Sequence, residues 1–284
     1  MLWNRKYWDI LEQLYWTPKY LGLSSISQKK WEKKDGFVCV PEESVNKSGP
    51  LYTRGTKSSD LREKLLCQEE PLNHVFDLTF AIAGDAVFER LFCEPLDFED
   101  NGPFESLGRE TNERYGWGKS ENVTQHDGLY ITPRSIIGTE LKLGSTSWPE
   151  QIAKYAALFL SEEKVLGKRE NIGIVFVLPE SSLAGHWKKC GLDGPRISST
   201  FIGQLKSDDL PKRIRGLLEE ESDSLRDVFD RMRLAAITWA QLKQNISEIE
   251  SVLDMTSPGD QTLLKLLSGF RAQIEEHSGT EVSR

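Results

Sequence analysis

The chain has 284 residues, 38% hydrophobic and 28% charged, which suits one large or two small globular domains and excludes a disordered or fibrous polymer. Its net charge is −8, from 36 basic and 44 acidic side chains. That balance argues against a coat-like nucleic-acid binder, though a local basic groove remains compatible with it. No apolar stretch approaches the roughly 18 residues of a membrane span, and MLWNRKYWDILEQLYW lacks the clean apolar segment of a secretory signal. Cys39, Cys67, Cys93 and Cys190 are far apart with no C-x-x-C pair, a pattern expected of reduced, buried thiols in a cytoplasmic protein.

In chain order, residues 1–70 form a Trp-rich extension. Trp3, Trp8 and Ile10 to Leu14 suit a short amphipathic helix packed on the body, and Lys29, Lys30, Lys33 and Lys34 form a basic run. Residues 35–60 read as loops with one short strand, Phe37 to Val40. From Asn73 to Cys93 the apolar spacing predicts a helix capped by Asn73 and interrupted at Gly84. A polar, Gly-rich stretch follows, Glu99 to Gln125, then two strands, Gly128 to Thr132 and Ile136 to Leu143. Ser147 and Glu150 match a capping box, with Pro149 in the first turn, and predict a helix from about Trp148 to Glu162. NIGIVFVL, Asn171 to Leu178, has the composition of a buried strand. Ser222 to Glu250 and Gln261 to Glu275 carry helical periodicity, separated by Ser257, Pro258 and Gly259.

Residues 126–155 concentrate the chemistry. Pro133 and Arg134 fall between two alternating runs, and a tight hairpin turning there sets Asp127 opposite Glu140, with Lys142 on the same face as Glu140. Two carboxylates so close repel unless a cation neutralises them. A hard divalent ion does this, and the Leu141 carbonyl is a candidate third ligand. Such an ion lowers the pKa of bound water and clamps a phosphoryl oxygen; Lys142 is placed to orient or help deprotonate that water, or to stabilise the transition state.

The D-x12-E-L-K pattern between strand-like runs, followed by a helix and an apolar strand, resembles the core of the PD-(D/E)XK nuclease superfamily over residues 74–180. The matching positions are Asp127, Glu140 and Lys142; His126 stands where the family's Pro falls. GDAVFERLF, Gly84 to Phe92, resembles the family's preceding helix and aligns Glu89 with a further metal ligand. Gln151 and Tyr155 resemble the Q-x-x-x-Y motif of the RecB-like and lambda-exonuclease-like branches, four apart and so on one helix face.

The resemblance implies an α/β fold, a restriction-endonuclease-like mixed central sheet flanked by helices. The core is expected over 71–204, with a helical C-terminal region at 205–284. It implies a Mg2+-dependent nuclease, with Mn2+ substituting, hydrolysing DNA rather than RNA in restriction, repair or defence. Asp127, Glu140, Leu141 and Glu89 are the implied metal ligands; Lys142, Gln151 and Tyr155 complete the implied catalytic set. The alternative is a non-catalytic nucleic-acid-binding or assembly module on the same fold, with the C-terminal helices joining a second copy or a partner protein. Glu-x-Lys alone is an ordinary solvated pattern, and His126 is read as a hydrogen-bonding neighbour at the sheet end. His74 stands fifteen residues before Glu89, too far for a ligand. His186 to Lys189 read as a solvated loop, and Lys206, Lys212, Arg213 and Arg215 as a basic surface beside the core.

Overall fold

The computed structural model describes residues 3, 5–7, 32–34, 37–39, 69–107, 126–143, 147–197, 201–205 and 212–282. Most of the Trp-rich extension, residues 108–125 and Lys206 lie outside them, as do the side chains of Lys212 and Arg213. Two short antiparallel strands, β1 (Glu32–Lys34) and β2 (Phe37–Cys39), form a separate hairpin. Trp3 and Tyr7 of the N-terminal segment dock on the body: the Trp3 indole donates to the Leu266 carbonyl at 3.0 Å and the Tyr7 hydroxyl to that of Pro71 at 3.1 Å.

The protein is α/β. Its centre is a five-stranded mixed open sheet in the order β3 (Glu105–Ser106), β4 (Gly128–Ile131), β5 (Ser135–Leu141), β6 (Asn171–Leu178), β7 (Met232–Thr238). The first three strands are antiparallel; β5, β6 and β7 are parallel. The β4–β5 hairpin has the predicted register, with Gly128 opposite Thr139 and Tyr130 opposite Ile137. Its turn is built by polar side chains. Thr132 Oγ1 accepts from the amides of Arg134 and Ser135, while the buried Asp100 carboxylate accepts from the hydroxyls of Thr132 and Ser135.

Alternation along the strands divides the interior into two cores. Leu129, Ile136, Ile174, Phe176 and Leu234 face α3 (Pro149–Leu166), α4 (Glu180–Lys189) and α7 (Ser222–Arg231). Short helices α5 (Phe201–Gln204) and α6 (Lys212–Glu220) complete this layer through Phe201 and Ile214. Tyr130, Ile137, Leu141, Val175 and Ile237 face the other layer: α1 (Glu69–Ile82), α2 (Asp85–Phe88) with its π-helical continuation Glu89–Cys93, α8 (Trp239–Ser251) and α9 (Pro258–Glu276). There Phe76, Phe80, Phe92 and Phe270 meet edge-to-face with centroids 4.7–5.9 Å apart. The thiols of Cys93 and Cys190 are free, one in each core. Among the described residues no helix is long and apolar enough to cross a membrane.

Several predicted elements are corrected. Helix α1 is already formed at Glu69, so Asn73 lies inside it rather than capping it, and Gly84, at φ +87°, is where α1 gives way to α2. The capping box at Ser147 is not made: Trp148 occupies the N-cap without a side-chain bond, Pro149 opens the helix, and Ser147 is buried. His186 to Lys189 are the last turn of α4, not a loop.

The largest correction is MRLAAIT, Met232–Thr238. Helical periodicity runs through it in the sequence, yet it is strand β7, paired in parallel with β6. Met, Arg, Leu and Ala are good helix formers, but alternate residues here fill both cores, and the pairing with β6 outweighs local propensity. The C-terminal region is therefore not wholly helical; it supplies the fifth strand of the central sheet. The boundary carries its own signal, since Thr238 and Gln241 form a reciprocal capping box at the start of α8.

Candidate active site

At the carboxyl end of β5, beside β4, the structure brings together Asp127, Glu140, Lys142, Gln151 and Tyr155. Both oxygens of Asp127 are engaged: Oδ1 accepts from Asn73 Nδ2 at 2.6 Å and Oδ2 from the Leu141 amide at 2.7 Å. Glu140, 3% exposed, is gripped at both ends. Lys142 Nζ lies 2.6 Å from its Oε1; Gln151 Nε2 donates to its Oε2 at 3.0 Å. The Tyr155 hydroxyl lies 2.9 Å from the same Oε2 and 2.7 Å from the Thr139 carbonyl, so its single proton is shared between two acceptors.

Local geometry explains why these residues converge. Glu140 is in β5 and Lys142 is one residue past its end, its amide still donating to the Val177 carbonyl, so alternation carries both to one face; Gln151 and Tyr155 are four apart on α3 and so share a stripe. Gly138 gives the Tyr155 ring its place, because a Cβ there would lie 2.5 Å from Tyr155 Cε1. Removing the hydroxyl should leave buried acceptors short of a donor. Tyr155→Phe is expected to cost about 1–3 kcal/mol, read as a lowered urea midpoint with unchanged slope.

The electrostatics follow from burial. Desolvation, then the charge of Glu140, push the Asp127 carboxyl well above the usual carboxylate range, against the opposing Leu141 amide and Lys142. Burial pulls Lys142 down, but the carboxylates of Glu140, Glu69 and Asp127 prevail and hold its ammonium up at about 12. Burial and the same carboxylates Glu140 and Asp127 raise the Tyr155 phenol well above its ordinary value, so it serves as a neutral donor.

Sequence reasoning missed three groups. Glu69 Oε1 lies 3.5 Å from Lys142 Nζ, and Glu69 and Asn73 stand four apart on α1. That spacing was the available signal, obscured by reading Asn73 as a cap. Trp239, fully buried, donates its indole N–H to the Lys142 carbonyl at 2.8 Å. Glu89 does not join the group: it opens the π-helical turn, its charge acts on Cys93, and no described contact links it to Asp127, Glu140 or Lys142. Glu69 is the acidic residue that α1 contributes. His126 accepts or donates at the sheet end, its Nε2 2.9 Å from the Leu107 carbonyl.

His186 lies behind the site, its ring 4.6 Å from that of Phe176 and its Nε2 3.8 Å from Cys190 Sγ. Burial, then the charges of Lys142 and Lys189, lower its pKa to about 4. The unfolded chain therefore takes up this proton first, near pH 6.5. Stability contributed by the neutral ring is full above pH 6.5 and lost as pH falls to about 4. His186→Phe is expected to flatten that part of a pH series of urea midpoints.

Among the described residues no group of three or more His, Cys, Asp or Glu side chains is arranged to hold a metal. The half-buried Asp127 and the buried Glu140 nevertheless offer hard oxygens, and Mg2+ commonly takes only one or two carboxylates, filling its shell with water and phosphate oxygens. Desolvation and then the charge of Glu140 raise Asp127, and a cation would offset both, so the donor set of these residues is compatible with a divalent cation. Compared with protein-family models, curated proteins and solved structures, the chain matches none.

Proposed function

We propose that this protein is a divalent-metal-dependent phosphodiesterase that hydrolyses DNA, on a nuclease-like variant of the mixed α/β sheet. The observation that carries the reading is the treatment of Glu140: a buried carboxylate on a strand end, facing Asp127, paired with Lys142 and held by Gln151 and Tyr155 from the next helix. A structural ion pair needs one cation. Two further donors and a second, half-buried acid beyond it are what a reaction centre requires to fix a ligand oxygen.

Asp127 and Glu140, with the Leu141 carbonyl, would hold Mg2+ or Mn2+. When bound, the ion polarises phosphoryl oxygens and lowers the pKa of coordinated water. Asn73 and the Leu141 amide orient Asp127; Gln151 and Tyr155 orient Glu140. Lys142, with its pKa at about 12, remains an ammonium at neutral pH. As an ammonium it is suited to stabilise negative charge developing on the phosphoryl group. Glu69, beside Lys142, would remain a partner for its ammonium if Glu140 held an ion.

The test is cleavage of matched DNA and RNA with Mg2+, with and without chelator, by the wild type and Lys142→Ala. Metal-dependent cleavage of DNA, lost in the variant, is the expected result. Equal behaviour of the two proteins, or indifference to chelator, would refute the reading and favour a binding module.

A further inference from the structure

Beside the paired carboxylates lies an open pocket of ≈ 450 Å³, bounded by Glu140, Lys142 and Gln151 on one side and Ser147, Trp148, Glu150 and Lys154 on the other. That volume falls in the roughly 300–1,000 Å³ range of small-ligand sites. Two of its walls are unexplained by folding. Trp148 is 61% exposed, although a ring of this size normally covers apolar surface. Ser147 is the reverse: it is 2% exposed and borders the pocket, and its hydroxyl has no hydrogen-bond partner among the described residues. A buried hydroxyl left unpaired is costly, which points to a polar ligand atom that completes it. In the first turn of α3 Pro149 has no N–H and the Gln151 amide donates to the Trp148 carbonyl, which leaves the Glu150 amide without a side-chain cap.

We propose that this pocket takes an unpaired nucleotide of single-stranded DNA, its base stacked on Trp148 and its phosphate held by Ser147 and Lys154, next to the bond to be cut. The assignment rests on the phosphodiesterase reading, and it adds the substrate's form. Glu140 and Glu150 balance Lys142 and Lys154, so the pocket has no net charge to draw a lone anion. A strand is held instead by stacking together with a few directed phosphate contacts, the mode of sequence-tolerant single-strand binding. In a duplex the base faces are already occupied by their neighbours, so an exposed indole beside the reacting groups selects an end, a gap or a flap over intact duplex.

The experiment titrates full-length protein with a labelled oligothymidylate of about twelve nucleotides and with a duplex of equal length, in Ca2+ so that the strand stays intact. Trp148→Ala is expected to weaken oligothymidylate binding about ten- to a hundred-fold while leaving duplex binding unchanged. Trp148→Phe should retain most of the affinity. Lys154→Ala should reduce the slope of log K against log salt by about 0.7, one phosphate contact on a single strand. The proposal is overturned if wild type does not bind the oligonucleotide, if Trp148→Ala binds it normally, or if both substrates weaken equally. Cleavage in Mg2+ by the same proteins separates the two readings. Cleavage with binding indifferent to Trp148 defeats this proposal alone. Trp148-dependent binding without cleavage defeats the hydrolase and leaves the single-strand site standing.

Discussion

Asp127→Asn is expected to lower DNA cleavage by about 10³-fold or more while preserving or raising the melting temperature at pH 7 in the absence of metal. The wild-type carboxyl is half-buried beside Glu140, and desolvation, then the Glu140 charge, hold its pKa well above that of the unfolded chain. A group shifted in this direction stabilises the fold fully below its unfolded pKa, near 4, and loses that contribution as pH rises through the folded value. At neutral pH the wild type therefore carries the cost of that shift, from desolvation first and the Glu140 charge second, and the amide does not. Hydrogen bonding survives the change: the oxygen of the substituted side chain can accept from the Leu141 amide, and the Asn73 amide can turn to present its Oδ1, which has no partner among the described residues of the wild type. Melting curves at pH 7 and pH 4 check the sign, since the variant's advantage should shrink at the lower pH. A functional acid that is costly to the fold is expected of an active site, not of a structural ion pair.

Trp239→Ala should be among the most destabilising single changes, at about 3–5 kcal/mol. The side chain is fully buried at the start of α8 and joins the layer behind the sheet to the reactive strand through the Lys142 carbonyl. Trp239→Phe keeps most of the packing and removes the N–H, so it isolates the tether: a loss of about 1–3 kcal/mol is expected in urea unfolding. Cleavage by Trp239→Phe should fall further than residual stability explains, because the Lys142 backbone loses its fixed point. If stability and cleavage fall only in proportion, Trp239 is packing and nothing more.

The hairpin was legible because a two-residue turn at Pro133–Arg134 and strict alternation leave one register that keeps the apolar side chains inside. That register alone sets Asp127 against Glu140. Gln151 and Tyr155 were legible for a similar reason, since a four-residue spacing has one meaning on a helix. The failures share a cause: the deciding contacts are long-range. Nothing local distinguishes Glu69 from Glu89; α1 passes beside Lys142, and the π-helical turn does not. Strand β7 has helix-forming residues and becomes a strand because β6 offers it an open edge. Trp239 reaches Lys142 across 97 positions of sequence.

The most direct measurement is cleavage of supercoiled, linear and single-stranded DNA by wild type and Asp127→Ala, with Mg2+ or Mn2+ and with chelator. Cleavage that needs the metal, disappears in the variant and favours strands with unpaired ends is the predicted result. Wild-type cleavage that survives chelation or the loss of Asp127, or no cleavage of any of the three DNAs, would contradict a metal-dependent nuclease built on Asp127, Glu140 and Lys142.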